Sequence, residues 1–320
     1  MTGALLVDKP SGPTSHDVVA FARRLLKTPR VGHTGTLDPL ATGLLVLLVG
    51  QATRLSQFLV GDAKEYVADV QLGIATPTYD AQSLDQVAVE GRTLDVRITA
   101  DQVRAVLPDF LGTFPQLPPQ FSAKKVGGVR AYEKARKQET VDLKPVEVTV
   151  HELELLDPPS SSLQPPTSNL QPPTSNLQPP TSSLIRLRVV CSSGFYVRSL
   201  AHDLGQVLGC GGHLAALRRT RAGRFRVEAS ATLDQLQADA DPGVRLVPLN
   251  SLLAHFPAVR LTAEGLRRAG NGNPLAPSHL ENGVTSGSEP FFRVLDEAGQ
   301  PMAIAEYRAD GLLHPLLVLR

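Results

Sequence analysis

Gly32-His33-Thr34-Gly35-Thr36-Leu37-Asp38-Pro39-Leu40-Ala41-Thr42-Gly43 sets one carboxylate, Asp38, on a glycine-rich loop and follows it with proline and an apolar run. Glycine lets backbone turn tightly and approach a ligand closely. Proline fixes φ and suits the first position of a helix. The spacing predicts a rigid loop-to-helix corner that presents a single acid to a substrate in one orientation. The competing reading is an ordinary helix N-cap, with the carboxylate taking a backbone N–H.

Outward from this loop, other segments carry their own signals. Thr14 with Asp17 predicts a helix start, and Val18, Val19, Ala22, Leu25 and Leu26 continue it over 15–27. Tyr66, Ala68, Val70, Leu72 and Ile74 alternate as a strand over 64–74. Thr99 with Gln102 opens a second helix through Val103, Val106, Leu107, Phe110 and Leu111. Val146, Val148 and Val150 read as one strand, and Ile185, Leu187, Val189 and Cys191 as another. Val197–Leu208 reads as a helix stopped at Gly209 and Gly211-Gly212. No regular strand–helix–strand alternation runs through the chain. The class expected is α+β, around a mixed or antiparallel sheet.

The chain has 320 residues, 42% of them hydrophobic, enough for one large domain or two. Residues 158–183 hold Leu-Gln-Pro-Pro-Thr-Ser-Asn repeats starting at Leu163, Leu170 and Leu177, whose paired prolines forbid a helix. They read as a low-complexity insertion in a hairpin turn without a catalytic role. After Pro248–Pro257, short β-like pieces at 258–261, 291–295, 303–307 and 316–319 and a helix-like piece at 263–269 suggest a small β-rich domain. The division expected is 1–250 and 257–320.

Net charge is only +1, yet its distribution is uneven. Eight arginines fall between Arg186 and Arg226 against the single acid Asp203. Lys124, Lys125, Arg130, Lys134, Arg136 and Lys137 form a second cluster, and Arg23, Arg24, Lys27 and Arg30 a third. Such segregation can present a basic face to phosphates. Two cysteines without Cys-x-x-Cys spacing, and eight histidines without His-Glu-x-x-His spacing, support neither a disulfide framework nor a metal site. With neither a secretory leader nor a span of transmembrane length read from the sequence, a soluble, reduced, cytoplasmic protein is expected.

The Asp38 loop resembles the catalytic loop of the TruB-type tRNA pseudouridine synthases, which convert uridine 55 of the tRNA T-loop to pseudouridine. Three further stretches resemble that family's motifs: Lys9-Pro10-Ser11-Gly12-Pro13-Thr14-Ser15; Pro118–Lys125 with Gly128, Ala131, Tyr132, Ala135 and Arg136; and Ser193–Leu200 with Asp203-Leu204-Gly205. Gly212-His213-Leu214 through Leu217-Arg218-Arg219 closes the set. The tail's position and its Gly270-Asn-Gly-Asn-Pro274 turn resemble the PUA-type RNA-binding domain of bacterial members.

The resemblance implies an isomerisation. The uridine N1–C1′ bond breaks, the bound uracil rotates, C5 bonds to C1′ and the C5 proton leaves. No cofactor or metal is implied. Asp38 would be the catalytic group, and three roles stay open for it: attack on the sugar, attack on the base, or abstraction of a sugar proton to give a glycal. Arg198 would partner the carboxylate, Tyr66 would stack on the uracil, Tyr196 would orient base or acid, and Leu217 would line the uracil pocket. His33 would fill the gap left by the everted base. Lys9, Lys125 and the arginines of 218–226 are candidates for phosphate contacts. The family's Thr-Asp-Thr-x-Asp run is here Thr76-Pro77-Thr78-Tyr79-Asp80, so Asp80 is retained while one acid is missing. The expected partner is the T-stem-loop of tRNA, met by a monomer without guide RNA or membrane. The alternative is a non-catalytic tRNA-binding or tRNA-folding module. A guide-directed subunit lacks the long basic tails it would want, and a glycosidase would need a second flanking carboxylate.

Overall fold

The computed structural model describes residues 1–86, 98–121, 125–126, 129–130, 143–156, 184–281 and 290–319. The repeat insertion at 158–183 and the basic residues Lys124, Lys134, Arg136 and Lys137 lie outside the described residues.

The strands of the first 250 residues are β1 (Gly3–Lys9), β2 (Val31–His33), β3 (Thr42–Val49), β4 (Lys64–Leu72), β5 (Gly112–Gln116), β6 (Lys125–Val126), β7 (Val129–Arg130), β8 (Val146–Leu156), β9 (Leu184–Cys191), β10 (Gly212–Ala222), β11 (Phe225–Arg226), β12 (Ala231–Thr232) and β13 (Val247–Pro248). The helices that matter here are α1 (Ser15–Leu25), α2 (Ala100–Val106) and α3 (Val197–Val207). One 11-stranded sheet runs β12-β1-β3-β10-β4-β9-β8-β5, with β2 on β3, β11 on β10 and β13 on β1. The β1–β12 and β3–β10 pairs are parallel, and the other pairs of this sheet are antiparallel. The class is therefore α+β around a mixed, mostly antiparallel sheet.

Local signals account for the helix starts. Thr14 and Asp17 form a reciprocal capping box at α1, and Thr99 and Gln102 form another at α2. α3 buries Val197, Leu200, Ala201 and Leu204, and Gly205 lets β10 approach, since a Cβ there would lie 2.2 Å from the Gly211 carbonyl carbon.

The corner after Asp38 differs from expectation. Pro39 opens a turn, closed by the Ala41 N–H on the Asp38 carbonyl at 3.1 Å, and the chain enters strand β3 rather than a helix. The reason lies in burial. Leu45, Leu47 and Val49 join one core cluster while Leu44, Val46 and Leu48 join the other, on the opposite face. A strand buried on both faces shows no polar alternation and is hard to tell from a buried helix in sequence. Gly43 sets its register. Its φ is +96°, and a Cβ there would stand 2.3 Å from the Arg219 carbonyl oxygen on the adjoining β10.

A second sheet, β14 (Ala258–Arg260), β15 (Phe291–Leu295), β16 (Pro301–Tyr307) and β17 (Leu313–Val318), carries α4 (Ala263–Gly270) and its own core of Val259, Phe292, Val294 and Leu313. Ile304 and Leu317 pack instead with Leu252, Leu253 and Phe256, on the face of the large sheet that holds Leu44, Val46 and Leu48. Burying these side chains between the sheets is the apolar seam that joins them.

Candidate active site

The loop 34–41 connects β2 to β3 and is held from three directions. Ser15, the first residue of α1, donates Oγ to the Leu37 carbonyl at 3.0 Å and accepts the Leu37 N–H at 2.8 Å. Lys9, at the end of β1, is fully buried and donates Nζ to the carbonyls of Ala41 (2.7 Å), Pro10 (2.8 Å) and Pro39 (3.2 Å). Arg219, on β10, is also buried, and donates Nε to the Leu44 carbonyl (2.7 Å) and Nη2 to that of Gly35 (3.1 Å). Gly12 N–H closes on the Pro39 carbonyl at 2.9 Å. These contacts give the N-terminal motif a function in the fold: it clamps the loop that carries Asp38.

Asp38 itself points into a cleft of about 500 Å³, lined by Tyr66, Tyr196, Arg198, Leu217 and Arg219 among others. Its Oδ2 lies 2.9 Å from Arg198 Nε in an ion pair; the acid's side chain is 36% exposed and the arginine's only 6%. A charge-assisted contact of this kind fixes orientation as well as charge. The rest of the guanidinium is fixed too. Nη1 meets the Thr78 carbonyl (3.2 Å) and Asp80 Oδ2 (3.6 Å), and Nη2 meets the Phe121 carbonyl (2.9 Å). Asp80 is buried and accepts from Thr78 Oγ1 (2.6 Å) and the Gln82 N–H (3.0 Å). It acts on the cleft through Arg198 rather than by lining it.

Tyr66 lies on β4, opposite Arg219 on β10 and Val189 on β9. Burial pushes its phenol upward, and the neighbouring Arg219 guanidinium opposes that shift. It is at once a core residue, with Ala68 and Val70, and a wall of the cleft. Tyr196 precedes α3, and its backbone is gripped by Gln116, which accepts the N–H at 2.8 Å and donates to the carbonyl at 3.0 Å. Leu217 lines the same cleft.

Four of the sequence-derived residues stand apart from this group. His33, half-buried on β2, accepts the Gly35 N–H on Nδ1 at 3.3 Å and lies at the rim of the loop rather than in the cleft; burial first, then electrostatic interaction with His16 and Arg219, lower its pKa. Asp80 is one residue removed, as above. Lys125 is placed in β6, and its side chain lies outside the described residues. Lys9 corrects the expectation of a phosphate contact: an ammonium has three donors, and here carbonyl oxygens take them in a site closed to water. Desolvation lowers its pKa to about 8, while the Asp38 carboxylate works against that shift.

Arg218, Arg219 and Arg221 of the arginine cluster are corrected in the same way, whereas Arg224 and Arg226 stay exposed and enter no ion pair among the described residues. Arg219 is buried in the loop clamp. Arg218 holds Asp8 with two bonds (2.7 and 3.0 Å), Arg186 holds Asp69 (2.6 and 2.8 Å), and Arg188 reaches Glu65, Glu152 and Glu154. Arg221 lies 3.8 Å from Glu65. Acids distant in sequence meet these arginines from other strands of the same sheet. Sequence reasoning missed Arg219 and Ser15 as loop anchors. Nothing local marks either, because their partners are backbone atoms 184 and 22 residues away.

The profile of the TruB family pseudouridylate synthase N-terminal domain matches residues 23–197, and that of the tRNA pseudouridylate synthase B C-terminal domain matches 198–253. The tRNA pseudouridine synthase B of Solibacter usitatus is 40% identical over 326 aligned positions, covering 100% of both chains. That of Thermobifida fusca is 44% identical over 322, covering 99% of this chain and 98% of the relative. Among solved structures, the archaeal box H/ACA sRNP Nop10-Cbf5 complex aligns with a TM-score of 0.67 at 23% identity, over 99% of this chain and 86% of that one, a likeness of fold. Among the described residues, no helix is long and apolar enough to cross a membrane.

Proposed function

The chain belongs to the TruB family of pseudouridylate synthases, and on that premise we propose that it isomerises uridine 55 in the T-loop of tRNA, with Asp38 as the catalytic group. Pseudouridine synthesis on tRNA follows from the family; the proposed target position follows the resemblance of the Asp38 loop, and the role proposed for each side chain draws on the cleft. The observation that carries the reading is the 2.9 Å pair between Asp38 and Arg198 at the mouth of a cleft walled by Tyr66 and Leu217.

A stacked uridine is out of reach of this carboxylate. It must be everted, at a cost of a few kcal/mol. Stacking on Tyr66 offsets part of that, at roughly 1–3 kcal/mol per base. His33, at the rim beside His16, fills the place the base leaves. In the cleft, N1–C1′ breaks and C5–C1′ forms; C5 loses its proton and N1 gains one, so the product is an isomer. Asp38 acts as nucleophile or base. Arg198 holds its oxygens toward the nucleotide, and the clamp of Lys9, Ser15 and Arg219 keeps the loop from yielding as the base turns. Residues 1–250 form the catalytic part and 257–320 a second RNA-binding part. The chain works as a monomer without guide RNA.

Tritium release from tRNA labelled at uridine C5 tests this reading. The protein should release one tritium per tRNA, and none from the position once cytidine replaces uridine 55. Full release from the cytidine-55 tRNA would move the target elsewhere, and no release from either would remove the proposal.

A further inference from the structure

α1 begins at the Asp38 loop and ends in positive charge. Ser15 holds Leu37, and the His16 ring meets the His33 ring edge-on with centroids 5.8 Å apart. The helix then runs 11 residues, about 16 Å along its axis at ~1.5 Å per residue. At its far end stand Arg23, Arg24, Lys27 and Arg30, all exposed. Arg23 Nη2 donates to the Val31 carbonyl at 2.9 Å and ties the helix end to the start of β2. The Arg30 carbonyl accepts the Gly50 N–H at 2.8 Å, which ties the backbone at Arg30 to the end of β3. Among the described residues, Arg24, Lys27 and Arg30 enter no ion pair, whereas Arg186, Arg188, Arg218 and Arg221 all face carboxylates.

The helix dipole favours cations in the last turn, and that alone accounts for Arg23 and Arg24. It does not account for Lys27. The helix ends in a Schellman motif: Thr28 N–H bonds the Arg23 carbonyl at 3.1 Å and Lys27 N–H bonds that of Arg24 at 3.3 Å. Lys27 holds the left-handed position of that motif, with φ +49°. Glycine is favoured there, because a Cβ strains this conformation. The chain thus carries a long cationic side chain at the one position of the turn where it costs stability, and that side chain enters no ion pair among the described residues.

We propose that Arg24, Lys27 and Arg30 form a phosphate-binding strip for the RNA strand that leaves the cleft past His33. The inference rests on the tRNA reading and extends it. The distance along α1 corresponds to on the order of five nucleotides at ~3.4 Å each. The strip contacts backbone and carries no sequence information.

Lys27→Gly separates this role from a structural one. With strain relieved, the variant should melt at or above the wild-type temperature. It should nonetheless bind unmodified tRNA several-fold more weakly, with the slope of log K against log salt shallower by about one. The triple variant Arg24→Gln, Lys27→Gln, Arg30→Gln should bind about tenfold more weakly and lose roughly two to three from the slope, with the loss falling on KM. Wild-type affinity and salt slope in Lys27→Gly overturn the strip. Weaker binding by Lys27→Gly alongside a wild type that releases no tritium would leave the strip standing and remove the function assigned above.

Discussion

Two groups of cations occupy this molecule and behave in opposite ways. Around the Asp38 loop, Lys9, Arg198 and Arg219 are buried, and their donors meet carbonyls and carboxylates that belong to the cleft or its loop. Across β9 and β10, Arg186, Arg188, Arg218 and Arg221 are paired with acids on β4 and β1. The buried group fixes the position of one acid, because an unmet donor or acceptor without water costs about 1–3 kcal/mol. The other group largely cancels its own charge, and its more exposed pairs, Arg188 with Glu152 and Glu154, contribute about 0–1 kcal/mol each. Position in the fold, rather than the number of cations, decides what each one does.

The comparison can be broken at several points. Arg198→Met should give the largest effect, slowing single-turnover tritium release about 10²–10³-fold with little change in tRNA affinity, since it removes the group that orients Asp38. A change in affinity with a normal rate would place Arg198 among binding cations instead. Lys9→Met comes next. It leaves the Pro10 and Ala41 carbonyls without the ammonium, and denaturant unfolding should show a loss of about 1–3 kcal/mol at neutral pH. That loss has a pH signature. Folding lowers the Lys9 pKa from 10.5 to about 8, so between those values the unfolded chain binds more protons and wild-type stability rises with pH. Lys9→Met lacks this gain, and the gap between the two proteins should widen from pH 8 to 10.5. A gap that stays constant would mean that Lys9 is not carried as a buried ammonium. Arg188→Gln should give the smallest effect. With Glu65, Glu152 and Glu154 around it, its loss should leave tRNA affinity and salt slope within about twofold of wild type. A slope shallower by about one would return β9 to the RNA-binding face.

The sequence made the two-sided elements legible. β4, β8 and β9 alternate between core and solvent, and α1 and α2 announce themselves by capping boxes. β3 misled because Leu44–Val49 is apolar on both faces, and no period-2 signal survives when both sides are buried. β1, equally buried, and β10, whose pairing with β4 is interrupted by register shifts, gave no pattern to read for the same kind of reason. The candidate site divides similarly. Asp38, Tyr196, Arg198 and Leu217 fall in motifs, Tyr66 in an alternating strand, and all five converge on one cleft. Lys9 and Arg219 read as surface charge because composition does not reveal that a cation is turned inward onto backbone carbonyls.

A double-mutant cycle on Asp38 and Arg198, read by single-turnover tritium release from tRNA, tests most directly whether the pair acts as one unit. Asp38→Asn alone should abolish measurable release while tRNA still binds. Adding Arg198→Met should slow nothing further, because the arginine works through the carboxylate. Appreciable release by Asp38→Asn, or residual rates whose losses simply add in the double variant, would contradict a catalytic Asp38 held by Arg198.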